Sequence, residues 1–202
     1  MDDKYYDALL HIKTGGGQKG FSSSVHYHRY EPTPYHGLEQ LFKQYYLKNS
    51  DRMVDFGCGK GRLLFYIHHL FSATVVGVEM DKSLYLEATQ NRIRYLKKAK
   101  ARPEQILLHN CVAEEYPIHP LDNRYYFFNP FSIQVFKKII SNILSSTKDS
   151  PREIELIVYY ASNEYTYFLD EHTPFVRKDE IKISGLFEQN PYERFIIYHL
   201  AE

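Results

Sequence analysis

The chain has 202 residues, 44% of them apolar, which suits one domain with a full core. Lys plus Arg and Asp plus Glu number 25 each, so the formal net charge is zero. That balance disfavours nucleic acid held mainly through phosphates and leaves a small molecule or a protein as the expected partner. Cys58 and Cys111 cannot form a disulfide framework or a four-cysteine zinc site. No run approaches the roughly 20 apolar residues that span a bilayer, and MDDKYYDALLHIK is not a signal peptide. The expectation is a cytoplasmic protein with no membrane partner.

In chain order, residues 2–13 suit a short helix, and TGGGQKGFSSS at 14–24 is a flexible connection. Two prolines in RYEPTPY impose an extended path on residues 29–35. Leu38, Leu41, Phe42 and Tyr45 then recur at helical spacing. From residue 52 the pattern becomes regular: strand RMVDF, helix GRLLFYIHHLF, strand TVVGVEM, and a long helix over 81–100 with Asp81 as its N-cap. The basic cluster of Arg94, Lys97, Lys98, Lys100 and Arg102 reads as the solvated end of that helix. EQILLHN, RYYFFN and EIELIVYYA are further strands, interleaved with helices QVFKKIISNILSS and NEYTYFLDE. Alternating strands and helices imply parallel pairing. The tail differs: FVRKDEIKISGLF and YERFIIYHL, joined by EQNP, form an antiparallel hairpin. The expected architecture is a doubly wound, Rossmann-like α/β sheet, mostly parallel, closing on that hairpin. Residues 1–49 form a helical extension and potential lid, and residues 50–202 form the main domain.

In open α/β sheets ligands bind beyond the carboxyl ends of the strands, so those ends are the candidate site. At the first, DFGCGKGR offers glycines where backbone comes close to a ligand or takes positive φ, and the following helix presents free N–H groups. Asp55 adds the opposite charge, so a ligand bearing both an ammonium and a carboxylate matches better than a bare pyrophosphate. The dinucleotide fingerprint G-x-G-x-x-G requires glycine at 62, where this chain has Arg62. Glu79, at the end of the second strand, suits two ribose hydroxyls. At the third end Asn110 both donates and accepts, and Val112 and Met80 suit the faces of a flat base. At the fourth, Asn129 and the stiff Pro130 backbone offer acceptors for an amine or amide N–H, while Phe131 offers a ring to a cationic or methyl-bearing centre. His26, His28, His68 and His69 lack further ligands at metal-binding spacing, and no metal is expected.

VDFGCGKGR, VVGVE, HNCVAE and FFNPF, in this order, resemble the motifs of class I S-adenosylmethionine-dependent methyltransferases over about residues 50–200. RYEPTPY followed by DFGCGKGR and NPF also resembles a bacterial group within that class. The resemblance implies a seven-stranded sheet with an antiparallel last strand, and S-adenosylmethionine as cofactor. It also implies roles. Asp55 and the loop of Gly57, Cys58, Gly59 and Gly61 would hold the methionine part. Glu79 would hold the ribose. Asn110, Cys111, Val112 and Met80 would hold the adenine. Members often carry Asp where this chain has Asn110, and those that methylate planar nitrogens often carry a second proline that FFNPF lacks.

The reaction then expected is in-line displacement, which needs mainly positioning and a dry site. Asn129, Pro130 and Phe131 would orient the acceptor, and Asn129 would also touch the cofactor. YEPTPY, through the hydroxyls of Tyr30, Thr33 and Tyr35, would fold over the cofactor. Cys58 would contribute only backbone, and Arg62 would open the helix beneath the cofactor. The alternatives are a catalytically inactive regulatory protein that binds the same cofactor, and an NAD-dependent oxidoreductase.

Overall fold

A computed structural model describes residues 3–16 and 30–200. The expectations for residues 17–29, including His26, His28 and much of the glycine-rich connection, lie outside the described residues. Seven strands form one sheet: β1 (Arg52–Phe56), β2 (Thr74–Val78), β3 (Ile106–His109), β4 (Arg124–Phe128), β5 (Glu155–Tyr159), β6 (Phe175–Lys182) and β7 (Arg194–Leu200). Their order is β3-β2-β1-β4-β5-β7-β6. The first five are parallel. β7 inserts between β5 and β6 and runs antiparallel to both. The predicted hairpin is therefore present, with its second strand inside the sheet. That position follows the side chains: β7 buries Phe195, Ile196, Ile197 and Tyr198, whereas β6 is exposed at five consecutive residues from Val176. A strand buried on both faces belongs inside the sheet, and a charged one at its edge.

Among the described residues six α-helices cover the two faces: α1 (Asp3–Leu10), α2 (Tyr35–Gln44), α3 (Arg62–Phe71), α4 (Lys82–Ala99), α5 (Ile133–Asp149) and α6 (Asn163–His172). Strand side chains alternate between two cores. Met53, Tyr126, Ile157 and Tyr159 join residues from α1 to α4 in one, while Val54, Tyr125, Phe127 and Val158 join residues from α5 and α6 in the other. Asp81 caps α4, its carboxylate accepting from the amides of Ser83 (2.8 Å) and Leu84 (2.9 Å). Because the chain runs outward through β1, β2 and β3 before crossing back to β4, the strand order reverses between β1 and β4. A cleft opens there beyond the strand ends.

Candidate functional site

A cavity of about 570 Å³ fills that cleft. Its floor comes from the ends of β1, β2, β4 and β5, its roof from residues 30–34. Of the residues singled out from sequence, Tyr30, Thr33, Asp55, Gly57, Cys58, Glu79, Met80, Cys111, Asn129, Pro130 and Phe131 line it.

The glycine loop turns through three positive φ angles, +81° at Gly57, +53° at Gly59 and +85° at Gly61. Each is also packed where a side chain would begin. A Cβ on Gly57 would lie 3.1 Å from Pro130 Cβ, one on Gly59 2.1 Å from the Tyr30 ring, and one on Gly61 2.8 Å from the Phe65 ring. The space that a side chain would take at these glycines is filled by the rings of Pro130, Tyr30 and Phe65. Several loop amides are engaged too. Gly57 and Cys58 donate to the Val78 carbonyl at 2.9 and 3.1 Å, and Gly59 donates to Glu79 Oε2 at 2.9 Å. The open donors are those of the first turn of α3, where Gly61 supplies no side-chain cap and Arg62 and Leu63 border the cavity.

Asp55 is buried to 5% exposure, and its carboxyl accepts no hydrogen bond among the described residues. Burial, with the neighbouring Glu79 carboxylate, pushes its pKa from 3.8 to about 8. Glu79 is also raised by burial, although amide hydrogen bonds oppose the shift. Its Oε2 ties the glycine loop, and its Oε1 accepts from the Asp81 amide at 2.8 Å. Each oxygen keeps a lone pair for a further donor. Burial and the same two acids hold the Cys58 thiol well above its ordinary pKa, so it is no thiolate nucleophile.

Asn110 departs from expectation. Its side-chain amide donates to the carbonyls of Glu79 (2.8 Å) and Met80 (3.2 Å). It braces the end of β2 and does not line the cavity, and neither does Val112; Cys111 and Ala113 take that wall. Asn129 adopts the left-handed region, φ +38°, beside Pro130, a strained conformation of the kind that collects at functional sites. Tyr160, at the end of β5, does the same with φ +53° and also lines the cavity. The Phe131 carbonyl accepts from the Tyr165 hydroxyl at 2.7 Å, so it points away from any acceptor.

Arg62 has a different job from the one its place in α3 suggests. It is buried, and its guanidinium donates to Thr14 Oγ1 (2.8 Å), the Thr33 carbonyl (3.1 Å) and Asp3 Oδ2 (2.6 Å). It also lies 4.5 Å from the Tyr35 ring centroid. Arg62 thus clamps α1 and the roof onto the domain. Thr33 adds a buried hydroxyl contact of 2.8 Å to Tyr126 on β4, and Tyr30 donates to the Thr14 carbonyl at 2.8 Å. Sequence reasoning missed Glu31, Tyr126, Phe128, Tyr159, Tyr160 and Glu193, which line the β4–β5 end of the cavity. Strand-end position could have flagged Phe128 and Tyr160. Glu193, from the connection before β7, carried no signal. Among the described residues no group of three or more His, Cys, Asp or Glu side chains is arranged to hold a metal ion, and no helix is long and apolar enough to cross a membrane.

The seven-stranded order, the antiparallel tail and the cleft at the reversal define an α/β Rossmann-like methyltransferase fold. No protein-family model matches the sequence, and no curated protein matches it. Solved structures do match. An RNA methyltransferase from Salinibacter ruber in complex with S-adenosyl-L-homocysteine has a TM-score of 0.59 and 15% identity, over 85% of this chain and 95% of that one. The protein yhhF from Escherichia coli has a TM-score of 0.60 and 17% identity, over 84% of this chain and 88% of that one. An rRNA methylase from Streptococcus thermophilus has a TM-score of 0.52 and 13% identity, over 81% of this chain and 93% of that one. At these identities the likeness establishes the fold. It also overturns one expectation. Zero net charge suggests that nucleic acid is disfavoured as a partner, yet proteins of this fold are described as acting on RNA and rRNA. A whole-chain sum carries no information about the local surface that meets a substrate.

Proposed function

We propose that the chain is an S-adenosylmethionine-dependent methyltransferase. The observation that carries this reading is the Asp55 carboxyl, buried in the cavity beside Glu79 without a hydrogen bond among the described residues. Two adjacent buried acids favour a ligand bearing positive charge and N–H or O–H donors. S-adenosylmethionine has a sulfonium, an ammonium and two ribose hydroxyls, and so fits the group. When bound, it supplies a methyl group already electrophilic.

In this reading Asp55 meets the ammonium, and the first-turn amides of α3 with the 57–61 loop meet the carboxylate. The free lone pairs of Glu79 take the ribose hydroxyls. Met80 and Cys111 flank the base, with Ala113 where Val112 had been expected, and Asn110 acts by bracing the end of β2. Asn129 would orient the acceptor toward the methyl group that the bound cofactor would supply. The Pro130 ring, against Gly57, holds the ends of β1 and β4 together. Phe131 supplies a ring edge near the same glycine. Residues 30–34, clamped by Arg62, exclude water, which makes the extension at 1–49 a roof on the domain at 50–202. Positioning and exclusion of water are enough for this displacement, and no strong base is required. RNA is one acceptor class to assay, given the RNA and rRNA methylases that share the fold.

A thermal-shift comparison tests the cofactor. S-adenosylhomocysteine should raise the melting temperature and NAD should not; the reverse result would sink the proposal. Label transferred from radiolabelled S-adenosylmethionine separates an enzyme from a protein that only binds it. Asn129→Ala should then lower turnover while leaving the S-adenosylhomocysteine shift intact.

A further inference from the structure

The end of the cavity under β4 and β5 differs from the half that holds Asp55. Its wall is aromatic. Phe128 and Tyr159 have ring centroids 4.5 Å apart, and Tyr160 lies 6.4 Å from Phe128 and 6.1 Å from Tyr159. Rings this close leave no slot between them, and their planes are inclined by 49°, 59° and 74°, so a flat group can lie on one ring face and meet the next ring at an angle. Tyr160 is fixed in its left-handed conformation with its hydroxyl accepting from the Asn190 side-chain amide at 2.7 Å.

Two carboxylates complete this end, one from each side. Glu31 comes from the roof, is exposed, and accepts no hydrogen bond among the described residues. Glu193 comes from the connection before β7; one of its oxygens accepts from the Tyr159 hydroxyl, and the other has no partner among the described residues. Both lie near enough to Tyr159 to raise its pKa, after burial itself. Among the described residues the one cationic side chain lining the cavity, Arg62, is already bound to Asp3, Thr14 and the Thr33 carbonyl. This end is therefore apolar on its ring faces and rich in unsatisfied acceptors, with no free cation among the described residues to receive an anion.

We infer that the β4–β5 end of the cavity is the acceptor subsite for a planar nitrogen group that lies on the Phe128 ring, meets the tilted Tyr160 ring at its edge and presents N–H donors to Glu31 and Glu193. The inference rests on the methyltransferase reading for calling the group an acceptor; the binding chemistry stands without it. An edge that presents two adjacent N–H donors to a carboxylate forms paired, charge-assisted hydrogen bonds. Anionic rings are excluded by the same two groups. Nitrogen heterocycles, free or within RNA, carry such an edge.

The test uses three flat probes of one size: benzamidinium, benzamide and benzoate. Binding is measured by calorimetry to the full chain, with and without S-adenosylhomocysteine. Benzamidinium should bind most tightly, benzamide at least tenfold more weakly, and benzoate not measurably. Glu31→Gln and Glu193→Gln should each weaken benzamidinium at least fivefold and leave the S-adenosylhomocysteine affinity unchanged. Glu31→Gln is at an exposed position and keeps the test sound should Glu193→Gln disturb Tyr159. Equal binding of the three probes, or unchanged benzamidinium affinity in Glu31→Gln, overturns the subsite. Probe selectivity in a chain that does not bind S-adenosylhomocysteine supports the subsite and removes the methyltransferase reading. Radiolabelled S-adenosylmethionine, offered with a nucleoside mixture or with total RNA, then distinguishes a free ring from a polymer-borne one. Label in neither overturns the heterocycle assignment.

Discussion

Replacing Asp55 by asparagine probes the cofactor half of the cleft most directly. Asn has the same shape and no charge. In the folded chain the Asp55 pKa is about 8 against an ordinary 3.8. Between those values the folded state holds a proton that the unfolded state has released. Stability therefore falls as pH rises through this window, by about 1.4 kcal/mol per pH unit, and levels off above about pH 8. Over the window the full shift amounts to about 6 kcal/mol as an upper bound. Asp55→Asn carries no such term. For a chain of this size about 1 kcal/mol moves the melting temperature by about 2–4 °C. The variant should thus melt higher than the parent, by a gap that widens about 3–5 °C per unit from pH 5 to pH 8 and then stops widening. The assay is thermal denaturation without ligand across that range. S-adenosylhomocysteine should reverse the order at pH 8, stabilising the parent and not the variant. Its affinity for the parent should rise by up to about tenfold per unit below pH 8, because the ammonium favours the ionised carboxylate. A melting-temperature gap that does not change with pH would refute the reasoning, since it would mean that Asp55 is not held protonated.

Three further predictions concern the roof and the sheet. Gly59→Ala places a methyl 2.1 Å from the Tyr30 ring on a backbone with φ +53°; it should cost about 1–3 kcal/mol and raise hydrogen exchange at residues 30–34, and unchanged exchange there would separate Tyr30 from the loop. Arg62→Met removes the clamp on Asp3, Thr14 and the Thr33 carbonyl; with Asp3 half-exposed the loss should be about 2–3 kcal/mol, with proteolysis beginning in the N-terminal segment. Glu155 sits in a buried network with Lys178, Tyr45 and Arg124. Burial raises its pKa, but the hydrogen bonds from Lys178 and Tyr45 and the Arg124 charge outweigh it and the net shift is downward. Its ionised form therefore stabilises the fold above about pH 4.5, and that stability is lost as pH falls through the folded value. Glu155→Gln should be less stable than the parent at pH 7 and approach it in acid denaturation; parallel acid curves would remove the network from the account.

Periodicity and punctuation set the element order here. RMVDF and TVVGV are short runs bounded by breakers, and Asp81 is an N-cap legible from its neighbours alone, because strand runs and caps are local properties. The glycine loop and the acid at the end of β2 were likewise visible, since strand ends in an alternating pattern are candidate sites by topology. What local sequence does not carry is which group fills a space or takes a hydrogen bond across the fold. Tyr30 packs on Gly59, and Asn110 spends its amide on backbone 31 and 30 residues away. Arg62, read as the start of a helix, reaches back 59 residues to Asp3. The proton on Asp55 follows from burial beside Glu79, and Glu31 and Glu193 meet one cavity from opposite ends of the chain. Spacing along the chain determined the elements and the strand ends; burial and contacts between distant residues decided what each end can hold, because dielectric and hydrogen-bond partners exist only in the packed structure.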